Sequence, residues 1–183
     1  MKLTTRRLIL REPTMRNAGD IVEGINNLNI SKWLLVVPYP YTLKDAKWFI
    51  NHCREKAKEK PRKSYLFNME LKSEKTLIGG CGISDVNRDQ GTAELGYWLA
   101  EPYWRQGYTS EAVRKLINYS FDTLKLRRLI IPAYSTNNGS NGLAKSLGFK
   151  KEGCLRKAVV CKATGKIHDE NIWGLLKEEW KRR

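Results

Sequence analysis

Three runs with strand character, Tyr65–Leu71, Thr76–Ser84 and Thr92–Leu99, are separated only by short polar turns: Lys72-Ser73-Glu74-Lys75 and Asn87-Arg88-Asp89-Gln90-Gly91. Turns this short cannot carry a crossover, so the three runs must form an antiparallel meander. The next connection is different. A loop, YWRQGYTSEA (Tyr103 to Ala112), leads into a segment whose apolar residues Ala112, Val113, Leu116, Ile117, Phe121 and Leu124 recur at helical spacing. The strand-like run Arg128–Ala133 follows that helix. A strand reached through a helix lies parallel to the one that entered it, so Arg128–Ala133 is expected parallel to Thr92–Leu99. A meander that switches once to a parallel pair admits few folds.

The flanking segments fit around that frame. Thr4–Arg11 reads as a strand bounded by Pro13, and Thr14 can cap a helix to about Asn26. A second short helix is expected over Ile30–Leu34. Val36 to Tyr41 holds Pro38 and Pro40 and is read as a loop. Thr42 is an N-cap with Asp45 three residues on, opening a helix to about Lys60 that stops before Pro61. Beyond the central unit come a helix over about Ser140–Leu147 and a hairpin, Leu155–Cys161 with Lys166–Leu176, turning through Ala163-Thr164-Gly165. The expected class is therefore α/β (α+β): a mixed, mostly antiparallel sheet with a parallel middle pair, flanked by helices. At 183 residues one domain spanning 1–183 is expected. Ligands of such sheets bind beyond the carboxyl ends of the parallel strands.

Composition narrows the partners. Lys and Arg number 34 against 19 Asp and Glu, a net charge of +15, which favours anionic partners such as nucleic acid, ribosomes, acidic proteins or phosphorylated cofactors. Lys44 to Lys63 alone carries eight basic and three acidic residues, mostly on one helix, so a solvated helical face explains much of the excess. The cysteines Cys53, Cys81, Cys154 and Cys161 form no C-x-x-C pair, and the histidines are only His52 and His168, which argues against a zinc site. No apolar run approaches the roughly 20 residues that span a bilayer. The apolar run Leu8-Ile9-Leu10 is too short for a signal-peptide core, so a cytoplasmic location with no membrane partner is expected.

The loop at Tyr103–Ala112 has two readings. It is an ordinary strand-to-helix connection, or it is an anion cradle. A helix N-terminus leaves N–H groups without intrahelical partners and carries partial positive charge. A glycine such as Gly107 lets a phosphate approach that backbone, and Arg105 adds a formal charge. Gly79-Gly80-Cys81-Gly82 is a different matter. It lacks the third glycine of a dinucleotide fingerprint and runs along a strand, where glycines mark a bulge or a close backbone approach.

Three segments, taken in order, resemble the GNAT N-acetyltransferase superfamily and within it the RimJ/RimL-like branch. They are Ala93-Glu94-Leu95-Gly96-Tyr97-Trp98-Leu99 with the loop behind it, Asn137-Asn138-Gly139-Ser140 running to Leu147-Gly148-Phe149 and Glu152-Gly153, and Lys166-Ile167-His168-Asp169 through Leu175 to Trp180. The opening Leu3 to Arg11 also resembles that branch's first strand. The resemblance implies acetyl-CoA as co-substrate and an amine acceptor, in that branch the N-terminal amine of a ribosomal protein. It identifies Trp104, Arg105, Gln106, Gly107, Tyr108 and Thr109 with the pyrophosphate loop. Two positions depart from the family pattern: Arg105 stands where glycine is common, and Thr109 replaces a smaller residue.

Amine attack on a thioester needs a neutral amine, a polarised carbonyl and a protonated leaving group. Glu94 is the candidate base, the other reading being an exposed strand carboxylate or a structural ion pair. Side-chain alternation puts Glu94, Gly96 and Trp98 on one face of the strand and Ala93, Leu95, Tyr97 and Leu99 on the other. Ser140 is the candidate donor to the leaving sulfur, or else an N-cap. Asn137 is a candidate for the pantetheine arm, or a turn residue. Asp169 is a candidate contact for the acceptor amine, or a surface charge of the hairpin. Cys154 and Cys161 have no paired histidine, and the superfamily transfers directly, so no acyl-enzyme is expected. Three functions remain in contention: acetyl transfer to a protein N-terminal amine, with docking on the ribosome or another anionic partner; transfer to a polyamine or aminoglycoside; and a ribosome- or RNA-binding module without turnover. A cationic small molecule would want an acidic pocket, and the only adjacent acidic pairs are Glu178-Glu179 and Asp169-Glu170. Oligomeric state is open.

Overall fold

A computed structural model describes residues 1–181. It contains one eight-stranded sheet in the order β1-β2-β3-β4-β5-β6-β8-β7. The strands are β1 (Lys2–Thr4), β2 (Leu8–Arg11), β3 (Tyr65–Leu71), β4 (Thr76–Asn87), β5 (Thr92–Leu99), β6 (Arg128–Tyr134), β7 (Lys150–Val160) and β8 (Ile167–Leu176). β5 and β6 are the parallel pair, and every other neighbour is antiparallel. The helices are α1 (Ala18–Ile25), α2 (Leu28–Ser31), α3 (Leu43–Lys58), α4 (Tyr108–Asn118), α5 (Asn138–Ser146) and α6 (Lys177–Lys181). The expected mixed sheet with its single parallel pair is the observed one.

Each face of the sheet has its own core. On one side α4 contributes Ala112, Val113, Leu116 and Ile117, and α5 with its C-cap contributes Ala144 and Leu147, packed on Leu8, Met69, Leu95, Leu129 and Trp173 among others. On the other side α1 and α3 bring Ile21, Ile25, Ala46 and Ile50 against Leu77 and the half-buried Trp98. Burying each of these Leu and Ile side chains stabilises the fold by roughly 1.5–3 kcal/mol. The glycine-rich run in β4 serves this packing. A Cβ on Gly80 would lie 2.4 Å from the Trp98 indole nitrogen, so glycine there is a close-approach residue.

Four boundaries differ from the sequence expectation. The strand expected over Thr4–Arg11 is two strands, β1 and β2, paired as a hairpin. The chain turns at Thr5 because its backbone N–H donates to the Leu8 carbonyl at 3.0 Å while its hydroxyl accepts from the Leu8 N–H at 2.9 Å. α2 begins two residues before the expected Ile30, since Asn27 caps it by accepting from the Asn29 N–H at 2.8 Å. β4 continues past Ser84 through a bulge, in which Asp85 takes a left-handed φ of 50°. β7 starts at Lys150 instead of Leu155 and carries two bulges of its own. The basic helix α3 opens with the capping box anticipated at Thr42 and Asp45. On its exposed side Lys56 pairs with Glu59 and Lys58 with Glu55.

Candidate active site

The parallel pair is short. β5 and β6 are in register only at Thr92 with Arg128, Ala93 with Leu129 and Glu94 with Ile130. Beyond Glu94 the strands part, and a cavity of about 860 Å³ opens between them. Its walls come from the divergent ends of β5 and β6, the N-termini of α4 and α5, and the segment Ile30 to Leu35. The cavity therefore reaches both faces of the sheet, at the carboxyl ends of the parallel strands.

One wall is the loop into α4. Gly107 is the N-cap of α4 at φ 80°, a left-handed conformation that glycine adopts without a Cβ penalty, and no side chain caps the helix. The first N–H groups of α4 are thus free of a side-chain acceptor, and Gly107, Tyr108, Thr109 and Ser110 line the cavity. Arg105 lines it too, and it also stands in the left-handed region at φ 62°, which explains why glycine is the common residue at this position. The Trp104 indole N–H donates to the Leu99 carbonyl at 2.7 Å and ties the loop to the end of β5. The Gln106 side chain donates to the Pro102 carbonyl at 3.0 Å, so it folds the loop and is absent from the cavity wall.

The loop is held from outside by a residue that sequence reading did not single out. The Arg7 guanidinium donates to the Gln106 carbonyl at 2.9 Å and to Glu111 at 2.7 Å, and lies 4.3 Å from the Tyr108 ring centroid. Glu111 also accepts from the Arg7 backbone N–H and the Thr5 hydroxyl. Burial pushes the Glu111 carboxyl up, but these hydrogen bonds outweigh it and hold the group below the usual carboxylate range. The β1–β2 turn, unforeseen in the sequence, is what carries Arg7 to this loop.

The second helix N-terminus is built differently. Asn137, and not Ser140, is the N-cap of α5: its side-chain oxygen accepts from the Ser140 N–H at 3.1 Å. The N-cap reading of Ser140 is thereby corrected, and its hydroxyl is left to pair with the Tyr97 hydroxyl at 2.9 Å. Burial raises the Tyr97 phenol to about 12 despite the Ser140 hydrogen bond. Both residues line the cavity on the α4–α5 side of the sheet, as does the capping Asn137.

Glu94 faces the opposite side, as strand alternation required. It is half-buried and pairs with no cation among the described residues, which removes the ion-pair reading. Burial, with the charges of Asp85 and Glu170 behind it, pushes its carboxyl up. Asp169 is not in the cavity wall. Its carboxylate accepts from the Lys157 N–H at 2.7 Å and stabilises the second bulge of β7. The neighbouring Glu170 lines the cavity instead, one residue away and on the other face of β8. Cys161 is fully buried, with its thiol directed at the Ser31, Lys32 and Leu34 carbonyls, so it anchors the cavity rim.

The comparisons agree with this geometry. Residues 7–150 match the family described as acetyltransferase (GNAT) domain. The chain is 32% identical over 178 residues, covering 97% of both chains, to an uncharacterized N-acetyltransferase, p20, of Bacillus licheniformis. It is 39% identical over 85 residues, 46% of this chain and 48% of the other, to the ribosomal-protein-serine acetyltransferase of Escherichia coli. A crystal structure described as a probable acetyltransferase superposes with a TM-score of 0.87 at 26% identity, covering 98% of this chain and 99% of that one. A sheet that splays at one parallel pair, an uncapped helix N-terminus beside the gap and a family match over most of the chain lead to one conclusion: this chain belongs to the GNAT acetyltransferases, enzymes that use acetyl-CoA as the acyl donor.

Proposed function

We propose that the enzyme moves the acetyl group of acetyl-CoA directly onto the α-amine of a protein N-terminus, in a ternary complex spanning the gap between β5 and β6. The observation that carries this reading is the separation of chemistry across the sheet: Glu94 lies on one side of the gap and the Ser140–Tyr97 pair on the other. A donor and an acceptor entering from opposite faces would meet at the gap itself.

The residues present fit acetyl-CoA. The uncapped α4 N-terminus and the side-chain-free Gly107 would take the pyrophosphate, with Arg105 adding charge. Trp104, Gln106, Tyr108 and Thr109 shape that loop, and Asn137 stands beside the path of the pantetheine arm. Acetyl-CoA supplies the activated acyl group, and the protein supplies binding, orientation and proton transfer. Glu94 accepts a proton from the incoming ammonium, directly or through water, and so frees the nitrogen lone pair to attack the thioester carbon. A carboxyl raised by burial is a stronger base for this task than an ordinary one. As the C–N bond forms and the C–S bond breaks, its electron pair goes to sulfur. Ser140, held by Tyr97, donates a hydrogen bond to that sulfur. The second nitrogen proton completes the thiol, so one amide, one free thiol and one proton leave the site.

The similarity to the E. coli ribosomal-protein-serine acetyltransferase supports a protein N-terminus as acceptor. The +15 charge supports docking on an anionic partner such as the ribosome. A polyamine or aminoglycoside acceptor gains from one observation: Glu94, Asp85 and Glu170, distant in sequence, form the acidic neighbourhood that adjacent residues did not reveal. The experiment is free-thiol release from acetyl-CoA with peptides beginning Ser, Ala or Met, with spermidine, with an aminoglycoside and without acceptor. Release that requires a free peptide N-terminus and weakens with salt on a ribosomal acceptor supports the proposal. Release with spermidine or the aminoglycoside alone refutes the N-terminal acceptor.

A further inference from the structure

Most of the partly buried carboxylates in this basic chain are matched. Of the partly buried ones, Glu12, Glu59, Glu70, Glu111 and Glu179 each meet a cation, and others accept N–H or O–H donors. Among the described residues, Glu94 and Glu170 are the two partly buried carboxylates without any such partner. They come from β5 and β8, the two neighbours of β6, and both line the cavity. Leaving a desolvated charge unmatched is costly, and 34 Lys and Arg residues were available to match it.

A second, independent feature points to the same place. Tyr134 lies directly opposite Glu170 in the β6–β8 register, so both side chains stand on one sheet face. Tyr134 is 4% exposed and lines the cavity; its hydroxyl lies beside the Cys161 thiol, a weak partner, and meets no nitrogen or oxygen partner among the described residues. The His168 ring stacks on the Tyr134 ring with centroids 4.4 Å apart and fixes its orientation. A buried hydroxyl held only by a thiol, and two carboxylates without a partner among the described residues, line one space. Trp33, Leu34 and Leu35 give that space an apolar wall.

We propose that Glu170, with Glu94 and the Tyr134 hydroxyl, forms the receptor for the acceptor's ammonium group, and that Glu170 sets the enzyme's selectivity for a cationic primary amine on an uncharged skeleton. This rests on the amine acceptor assigned above. Glu170 holds the charged form of the amine in place while Glu94 takes its proton. Glu170 takes no part in the proton transfer, which is left to Glu94. The apolar wall receives the first side chain, and an acceptor beginning with Asp or Glu is repelled.

The test is steady-state kinetics of Glu170→Gln and Glu170→Asp with a Ser-initiated peptide, alongside an α-N-trimethylated peptide and an N-acetylated peptide as inhibitors. Loss of a charge-assisted contact in Glu170→Gln should raise acceptor KM about tenfold to a hundredfold. Acetyl-CoA KM should stay within about twofold, and Glu170→Asp should recover most of the acceptor affinity. The trimethylated peptide, a permanent cation, should compete with the acceptor in the wild type and weaken in parallel in Glu170→Gln, while the N-acetylated peptide should inhibit neither. An unchanged acceptor KM in Glu170→Gln, or equal inhibition by the charged and neutral peptides, overturns the proposal. Should the wild type acetylate spermidine and not peptides, the N-terminal acceptor fails on its own, and the same variants assayed with spermidine decide the role of Glu170.

Discussion

The two ends of the cavity are built to recognise charge by opposite means in the proposed ternary complex. At the α4 end the proposed pyrophosphate would meet backbone N–H groups, a helix dipole and arginine charge. At the β6–β8 end the proposed ammonium would meet carboxylates and a phenol, and burial has moved the carboxyls upward. The difference follows from what each end must do. A pyrophosphate has only to be held, so fixed dipoles suffice and cost nothing to reorganise. An ammonium must be held and then deprotonated, which requires groups that can change charge. The same contrast explains the supports: Arg7 and Glu111 brace a loop, whereas Glu94 and Glu170 meet no cation among the described residues.

If the ends are as distinct as this, substitutions should separate them. Glu94→Gln should lower kcat by about a thousandfold, within the range for general bases, with acetyl-CoA KM unchanged. The acid limb of the wild-type pH–rate profile should lie above the ordinary carboxylate range and disappear in this variant. Ser140→Ala should lower kcat about a hundredfold by removing the donor to sulfur, again with both KM values nearly intact. Gly107→Val acts on the other end. It forces a branched residue to φ 80° and places a Cβ 3.4 Å from the Arg7 guanidinium, so acetyl-CoA KM should rise about tenfold with little change in acceptor KM. The smallest effect is on stability. A carboxyl whose folded pKa is raised loses stability as pH climbs from its unfolded value through its folded one. Glu94→Gln removes that loss, so chemical denaturation at pH 7 should find the variant unchanged or more stable by up to about 1 kcal/mol.

The two ends also differ in how far the sequence revealed them. The α4 end is local. Trp104 to Thr109 are consecutive, and a glycine before an amphipathic helix carries its own physical meaning, so the loop was legible and even its strained Arg105 was flagged. The meander and the parallel pair were legible for a similar reason, since turn length fixes strand direction. The proposed acceptor end draws on positions 94, 134 and 170, joined only by strand register. The sequence expectation fell on Asp169, and strand alternation alone could not say which of two adjacent acids faces the cavity. The bulges of β7 decided that, by giving Asp169 an N–H to accept. Arg7 was hidden by a different cause: a tight turn at Thr5 broke what looked like one strand. Ser140 was assigned a capping alternative because serine caps helices well, but Asn137 three residues earlier holds that place.

The most direct test of the account is the affinity of a bisubstrate ligand, coenzyme A joined through an acetyl bridge to the N-terminal nitrogen of a Ser-initiated peptide. If donor and acceptor meet in the gap between β5 and β6, this ligand should bind at least about a hundredfold more tightly than coenzyme A or the peptide alone. Gly107→Val should weaken that binding through the coenzyme half. A bisubstrate ligand that binds no better than coenzyme A would contradict the account, because it would mean that the amine does not enter through the gap.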